Sequence, residues 1–565
     1  MRRLRRNLLI TTVAVVAAVV LYLGLTLPPA TRHLPAAPAT TIFGAYHIHT
    51  SRSDGSGSLA DVASAAAQAA LQFVIVTDHG DATRPPEPPH YLHEVLVIDA
   101  VEISTMSGHL IALGLKDASP YPLGAEARDA LEDVHRMGGW AVAAHPDSPH
   151  AGLRWRGDDL VEGFEWLNAD SEWRDERAVR LLLTLGHYFF RPSESIASIF
   201  DRPAASLRRW DDLSKRQNVV GLAGVDAHAK IAVDEDAVTQ ESRTIFARPS
   251  YKDMFRTVAQ GVELKAPLTG DAARDAATIL TALRTGNTYS VVRAIAEPGQ
   301  IRFFATDASR TAGMGESLES SGAWTIGASV PAPADATVVL IRDGEEVASG
   351  TGSATFKTGG APAIYRAEVR LPGAAVPWIV TNPIRIGPVA AAAPVLPQTV
   401  HVVRRLDNPA TWSAEKHSTS LSDVRVDGGE VAMAFRLTPG PLDGQYAAMA
   451  YPLDGRDDFT AIAATLRASA PMRISVQVRQ PGGSDGERWQ RSVYIDQTPR
   501  EVTLSLQDFR LGEATTDRKP TPALVRSVLF VVDTWHTKPG TSGTVWLSGV
   551  SLGAPAPAAG VKSVR

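Results

Sequence analysis

The chain has 565 residues, of which 44% are apolar and 21% charged, with a net charge of −5 and no cysteine. That length exceeds one hydrophobic core and implies roughly two to four domains of ordinary globular composition. The charge offers no general attraction to nucleic acid, and no nucleic-acid-binding patch is evident. Lack of cysteine excludes disulfides and thiolate metal sites, so any metal must be held by histidine and carboxylate.

In chain order, residues 1–30 come first. The basic cluster "MRRLRR" precedes an uncharged apolar run of 20 residues, Leu8 to Leu27. Such a run spans a bilayer as a helix, and the leading arginines favour a cytoplasmic N-terminus. The apolar region of a cleaved signal is usually shorter, so a single-pass anchor in the cytoplasmic membrane is expected. The small residues of "LPAAPATT" keep signal cleavage and secretion open as the alternative. Either way, the remainder is expected in the periplasm or extracellular space.

From Phe43 to about Lys230, strand-like runs alternate with helix-like ones: "FGAYHIH", "LADVASAAAQAAL", "FVIVTDH", "EVLVIDAVEIS", "GHLIALGL", "AEARDALEDVHRMGG", "WAVAAHP", "GFEWLN", a helical stretch and "VVGLAGVDAH". This alternation predicts a mostly parallel α/β sheet or barrel, whose functional residues lie at the C-terminal ends of the strands. Residues 231–295 read as a continuation, so the first large domain is placed at 40–297. Short β-rich runs broken by Gly, Pro and Asp then predict an Ig-like β-sandwich at 298–388. An Ala/Pro linker, "GPVAAAAPVLPQ", leads to a second all-β domain at 399–555.

Eleven of the 15 histidines lie between His47 and His228. In "AYHIHTSRSDGSGS" the two imidazoles of His47 and His49 share one face of an extended strand, because residues i and i+2 point the same way. His79, Glu102, His109, His145, Asp226 and His228 also end or follow predicted strands, and Asp54 sits on the turn after the first. Nine donors are too many for one ion, since zinc takes about four and a manganese-type site about six. Three ions sharing one bridging carboxylate would accommodate them.

The pieces "HIHT…SDG", "VTDHG", "VEIS…GHL", "AHP" and "GVDAH", in that order, resemble the polymerase and histidinol phosphatase (PHP) superfamily of metal-dependent phosphoesterases. The resemblance covers roughly residues 43–295 and implies a distorted (β/α)7 barrel holding three zinc, manganese or iron ions. Carried over by motif, His47, His49, Glu102 and Asp226 would hold the first ion. Glu102, as bridge, would hold the second with His109 and His145, and Asp54, His79 and His228 the third. Glu102, Asp226 and His228 are thereby the residues nearest to catalysis. The implied reaction is hydrolysis of a phosphate mono- or diester by metal-activated hydroxide. An amidohydrolase-type barrel also opens with HxH, but commonly uses a bridging carbamylated lysine and leaves the TDH and DAH pairs unexplained.

Arg52, Arg84, Arg191 and Lys230 lie near the ligand loops and are candidates for gripping phosphate oxygens. His90, His93, His135, His150 and His187 read as surface or packing residues. The last domain resembles a jelly-roll of the galactose-binding or carbohydrate-binding-module kind, in which Trp412, Trp489 and Trp535 could stack on a glycan or pack the core. An alternative reading of the whole chain follows from this: an inactive metal-binding barrel serving as a glycan-binding envelope protein.

Overall fold

The computed structural model describes residues 2–150, 152–157, 161–233, 243–246, 248–318, 322–388, 400–440, 444–482, 486–512 and 518–555. These form two compact units. One comprises Met1–Gly80, Pro86–Lys116 and Gly138–Ala392; the other comprises Asp81–Pro85, Asp117–Met137 and Ala393–Arg565. The chain is thus multidomain and rich in β-sheet.

The first unit begins with α1 (Arg2–Thr26). Its stretch Leu9–Thr26 has a mean hydropathy of 2.3 with none of it buried, so the helix is long and apolar enough to cross a membrane.

Of the ten strands among the described residues from there to Gly224, seven frame the site: β1 (Thr41–Tyr46), β2 (Phe73–Val76), β3 (Val101–Thr105), β4 (Gly108–Leu113), β5 (Trp140–Ala143), β6 (Gly163–Asn168) and β7 (Val220–Gly224). β1 and β2 pair in parallel, as do β5 with β6 and β6 with β7. Two isolated parallel bridges, Ile48 with Ala227 and His79 with Glu102, connect β1 to β7 and β2 to β3 beyond the strand ends. The seven strands therefore close a hydrogen-bonded circuit, one bridge joining two candidate ligands, His79 and Glu102, and the other lying between candidate ligands on both of its strands.

Strict parallel alternation does not hold around this circuit. β3 and β4 are antiparallel, and so are β4 and β5. Only Met106 and Ser107 separate β3 from β4, and two residues can close a hairpin but not a crossover between parallel strands. Gly108 makes the turn possible: its φ is +102°, and a Cβ there would lie 2.4 Å from the Arg154 carbonyl oxygen.

Helices join other strands. α2 (Leu59–Gln68) links β1 to β2 and starts on a capping box in which Ser58 and Asp61 satisfy each other's backbone donors. α3 (Ala127–Arg136) lies between β4 and β5 in sequence, and α4 (Ala178–Tyr188) and α5 (Ala204–Arg216) lie between β6 and β7. The core joins the circuit strands to α6 (Ala272–Arg284): Ile42, Tyr46, Phe73, Ile75, Trp140 and Val142 share one cluster with Ile279 and Leu283. Strands such as "FVIV" are buried on both faces, as their unbroken apolar sequence requires.

β8 (Ala259–Glu263) pairs antiparallel with β1, and β9 (Thr288–Val291) with β8. The strand Ile379–Thr381 then pairs with β9. One sheet therefore runs without a break from the circuit into the small β-sandwich, whose other sheet contains Arg302–Thr306 and Thr325–Ser329. Within this unit Arg366 is fully buried, with Nε and Nη2 at 2.8 and 2.9 Å from the two oxygens of Asp211 and Nη1 at 2.9 Å from Glu368.

The second unit is a sandwich of two six-stranded antiparallel sheets. Residues 117–137, which fall within 40–297, group with it and bring α3 along. The buried Asp133 accepts from Arg473 Nε at 2.9 Å, and Asp129 accepts from Arg491 and Ser492. His536 is buried here, 3.1 Å from Asp533.

Candidate metal centre

The nine donors are gathered by the ends of six circuit strands and one turn. His47 and His49 follow β1, His79 follows β2, and Glu102 and His109 belong to β3 and β4. His145 follows β5, and Asp226 and His228 follow β7. Three of them leave their strands with left-handed backbone: φ is 68° at His47, 30° at His145 and 49° at Asp226. Non-glycine residues pay for that conformation, and such strain persists where the surrounding structure demands it, typically at functional sites. Asp54 arrives on a loop pinned by Asp78, which accepts 2.7 Å bonds from the backbone N–H and hydroxyl of Thr50 and from the Ser53 hydroxyl. Burial opposes charge on Asp78, but these bonds hold its pKa below the usual range.

Glu102 is the hub. Its Oε2 lies 3.1 Å from Nε2 of His47, 3.1 Å from Nε2 of His49 and 3.5 Å from Nδ1 of His79. Its Oε1 lies 2.8 Å from Nδ1 of His109 and 2.8 Å from Nε2 of His145. One carboxylate therefore faces five imidazoles. Asp226 Oδ1 stands 3.3 Å from His47 and 3.2 Å from His49. Asp54 meets His228 at 2.9 Å and His49 at 3.4 Å.

Only part of this proximity is hydrogen bonding: Glu102 is bonded to His47, His109 and His145. Both ring nitrogens of His49, Nδ1 of His79 and Oδ1 of Asp226 are buried and make no hydrogen bond. Buried polar atoms without partners are costly, at about 1–3 kcal/mol each. Lone pairs that converge without bonding one another fit cations held between them. The donors fall into four overlapping groups: His49, Asp54, His79 and His228; His47, His49 and Glu102; His47, His145 and Asp226; and His79, Glu102 and His109. In each group the ligand atoms lie within 4.8 Å of one another. Since the groups share residues, the geometry alone does not reproduce the partition implied by the motifs. All donors are nitrogen or oxygen, which suits zinc, manganese or iron.

The electrostatics agree with a cation-binding centre. Burial opposes charge on Glu102 and Asp226, yet neighbouring histidines hold both carboxyls well below their ordinary pKa. Burial likewise opposes charge on His49, but Asp54, Asp226 and Glu102 raise its pKa to about 10. Burial dominates at His79 and lowers it to about 3, keeping that ring neutral.

Glu165 is a member of this site that the sequence reading passed over. Fully buried on β6, its Oε1 is 2.7 Å from His47 Nδ1, and its Oε2 accepts from the His145 backbone N–H at 2.7 Å and from Asn168 at 3.0 Å. Asn168 also donates to Asp226 Oδ2 at 3.2 Å. Its signal was an acid in "GFEWLN", a strand buried at all six positions. A buried carboxylate needs partners. Gly224 on β7 makes the room, since a Cβ there would lie 2.3 Å from Glu165 Oε1.

The four basic candidates separate. Arg52 is committed to carboxylates, at 2.9 Å from Asp78, 2.7 Å from Glu87 and 3.1 Å from Asp99. Arg191 donates to the Pro28 carbonyl, and Arg84 is exposed and donates to the Pro85 carbonyl at 3.2 Å. Lys230 lines a cavity of about 430 Å³ together with Asp226 and His228. In the second unit, Trp412 and Trp489 are buried in the sandwich and cannot stack on a glycan. Trp535 instead borders a cleft of about 350 Å³ with Tyr446, Gln477 and Gln490.

No family model matches the sequence, and no curated protein matches it. Similar solved structures are carbohydrate-binding modules. The family 11 module of a cellulosomal cellulase of Clostridium thermocellum is 14% identical, covering 28% of this chain and 95% of its own, with a TM-score of 0.22. A family 30 module from the same organism is 11% identical over 27% of this chain and 95% of its own, with a TM-score of 0.21. The N-terminal cellulose-binding domain of Cellulomonas fimi β-1,4-glucanase C is 16% identical over 27% of this chain and 93% of its own, with a TM-score of 0.19. Likenesses this slight carry no argument about the chain.

Proposed function

We propose that the chain is a metal-dependent phosphoesterase of the PHP type, its strand circuit being a distorted (β/α)7 barrel with a trinuclear centre. One observation carries this reading: a single carboxylate, Glu102, surrounded by five histidines and flanked by Asp54 and Asp226, with ring nitrogens of His49 and His79 and an oxygen of Asp226 buried there without hydrogen-bond partners. Divalent ions held there would neutralise phosphoryl oxygens and lower the pKa of water from about 15.7 towards 7. Glu165 and the Leu153 carbonyl orient the rings: each takes the outward Nδ1–H of its histidine, at 2.7 Å from His47 and 3.0 Å from His145, leaving Nε2 turned inward. Lys230, which lines the same cavity as Asp226 and His228, would hold a phosphate oxygen. The test is hydrolysis of p-nitrophenyl phosphate and of a bis-ester by the full chain supplied with Mn or Zn. Turnover lost in EDTA and in Glu102→Gln supports the reading; undiminished turnover in either overturns it.

The cleft beside Trp535 favours a second activity on the other unit, retention of a glycan. Gln477, Arg479, Arg488 and Gln490 supply polar contacts, and Tyr446 and Trp535 aromatic ones. Retention on a polysaccharide column that disappears in Trp535→Ala would support it. Such retention without ester turnover would favour the inactive-barrel alternative.

A further inference from the structure

The helix that borders the metal centre is apolar on the outside. On α4 and the two residues after it, Val179 is 70% exposed, Leu182 69%, Phe189 70% and Phe190 58%, with Leu183 and Leu185 also exposed. Soluble surfaces seldom show so many large apolar side chains together, and such a stretch marks a protein, ligand or membrane contact. The same helix, through Leu181, Leu182, Leu185 and Tyr188, walls the cavity of about 430 Å³ that ends at Asp226, His228 and Lys230, so part of the exposed apolar surface opens into that cavity. Trp173, Ile199 and Met254 complete its apolar lining.

The apolar N-terminal helix ends against this same element. Thr26 Oγ1 lies 3.0 Å from His187 Nε2, and the ring of Tyr22 packs against that of His187 at 6.2 Å between centroids. Just beyond, Arg191 donates to the Pro28 carbonyl, and Thr31 donates through its backbone N–H and its hydroxyl to Glu194 at 3.2 and 3.1 Å. If α1 spans the bilayer, these contacts hold α4 at the membrane surface. Its exposed leucines and phenylalanines are the residue types that enter the interface.

The geometry points to a membrane lipid as the substrate of the proposed phosphoesterase, with the phosphate ester at the metal centre and a hydrocarbon chain in the α4 cavity. This rests on the phosphoesterase reading and on α1 as an anchor. The step is ordinary hydrolysis: the oxygen of one water bonds to phosphorus, the bond from phosphorus to the lipid alcohol oxygen breaks, and a proton from that water passes to the leaving oxygen. Such a lining would favour long acyl chains over short ones, because each methylene placed against it leaves water.

The test uses the full chain in phosphatidylcholine nanodiscs with Mn or Zn, probed with phosphatidic acid carrying a diazirine in one acyl chain. Photolysis should attach the probe within residues 173–199. Hydrolysis of phosphatidic acids should rise in kcat/KM by about tenfold or more between four-carbon and sixteen-carbon chains. Attachment at 173–199 without hydrolysis would keep the lipid site and remove the phosphoesterase. Hydrolysis of p-nitrophenyl phosphate with attachment elsewhere, or with no dependence on chain length, would overturn the lipid proposal and leave the phosphoesterase standing. Cross-linking of α4 to a second copy of the chain in place of lipid would also overturn it.

Discussion

Glu165 Oε1 lies 2.7 Å from Nδ1 of His47, and both side chains are fully buried. The carboxylate fixes which nitrogen of that ring faces Glu102 and Asp226, and its other oxygen holds the backbone N–H of His145. Partners of this kind typically account for 10–100-fold in metal affinity. We expect Glu165→Gln to weaken binding by about that factor while the chain stays folded, measured by competition with a chromophoric chelator. Unchanged affinity would mean that the contact only packs the strand.

Filling the centre should stabilise the first unit. Ion held at about 100 times its dissociation constant adds about 2.7 kcal/mol, because the unfolded chain has no preformed site. Thermal unfolding of the full chain should therefore move up with Zn or Mn and back down with EDTA. Asp226→Asn should abolish most of the shift, and an equal shift in wild type and variant would place the ions elsewhere.

In the second unit, His536 sets a pH dependence. Burial opposes its charge, but Asp533 and Asp129 raise its pKa to about 9 from an ordinary 6.5. A raised histidine contributes its stabilisation fully below the unfolded pKa and loses it as pH climbs through the folded one. The sandwich should thus lose roughly 3 kcal/mol between pH 6.5 and 9 from this group. Amide exchange across Ser527–Asp533 should quicken over that window, and His536→Gln should flatten the response.

Arg366 supplies a stability test away from both sites. It is enclosed by Asp211 and Glu368, and removing one partner of a buried ion pair leaves bare charge behind, at about 3–5 kcal/mol. Arg366→Ala should lower the denaturant midpoint accordingly. A loss below about 1 kcal/mol would show that the pair behaves like one on the surface.

Most donors were legible because they close an apolar run, and a polar residue at a strand end has somewhere to point; Glu102 and His109 lie instead at the second positions of β3 and β4. Glu165 was harder to see: it sits mid-strand in an apolar sequence, and only the three-dimensional approach of His47 and His145 gives it partners. The antiparallel hairpin of β3 and β4 was written in the two residues between Thr105 and Gly108, a loop too short for a crossover, but the regular alternation of the surrounding runs obscured it. What no local pattern could reveal was long-range choice. Nothing in "ARDALEDVHR" announces that Asp129 and Asp133 await arginines more than three hundred positions later.

That last pairing bears on how the molecule can be taken apart. α3 lies in sequence between two strands of the circuit, yet its acids are neutralised by Arg473 and Arg491 of the C-terminal sandwich. A truncation stopping near residue 392 would leave the buried Asp129 without its counter-ions and Asp133 with Arg136 alone, and would bare the helix that carries them. The sandwich is accordingly no detachable appendage, and a shortened protein that failed to turn over ester would say nothing about the chemistry of the metal centre.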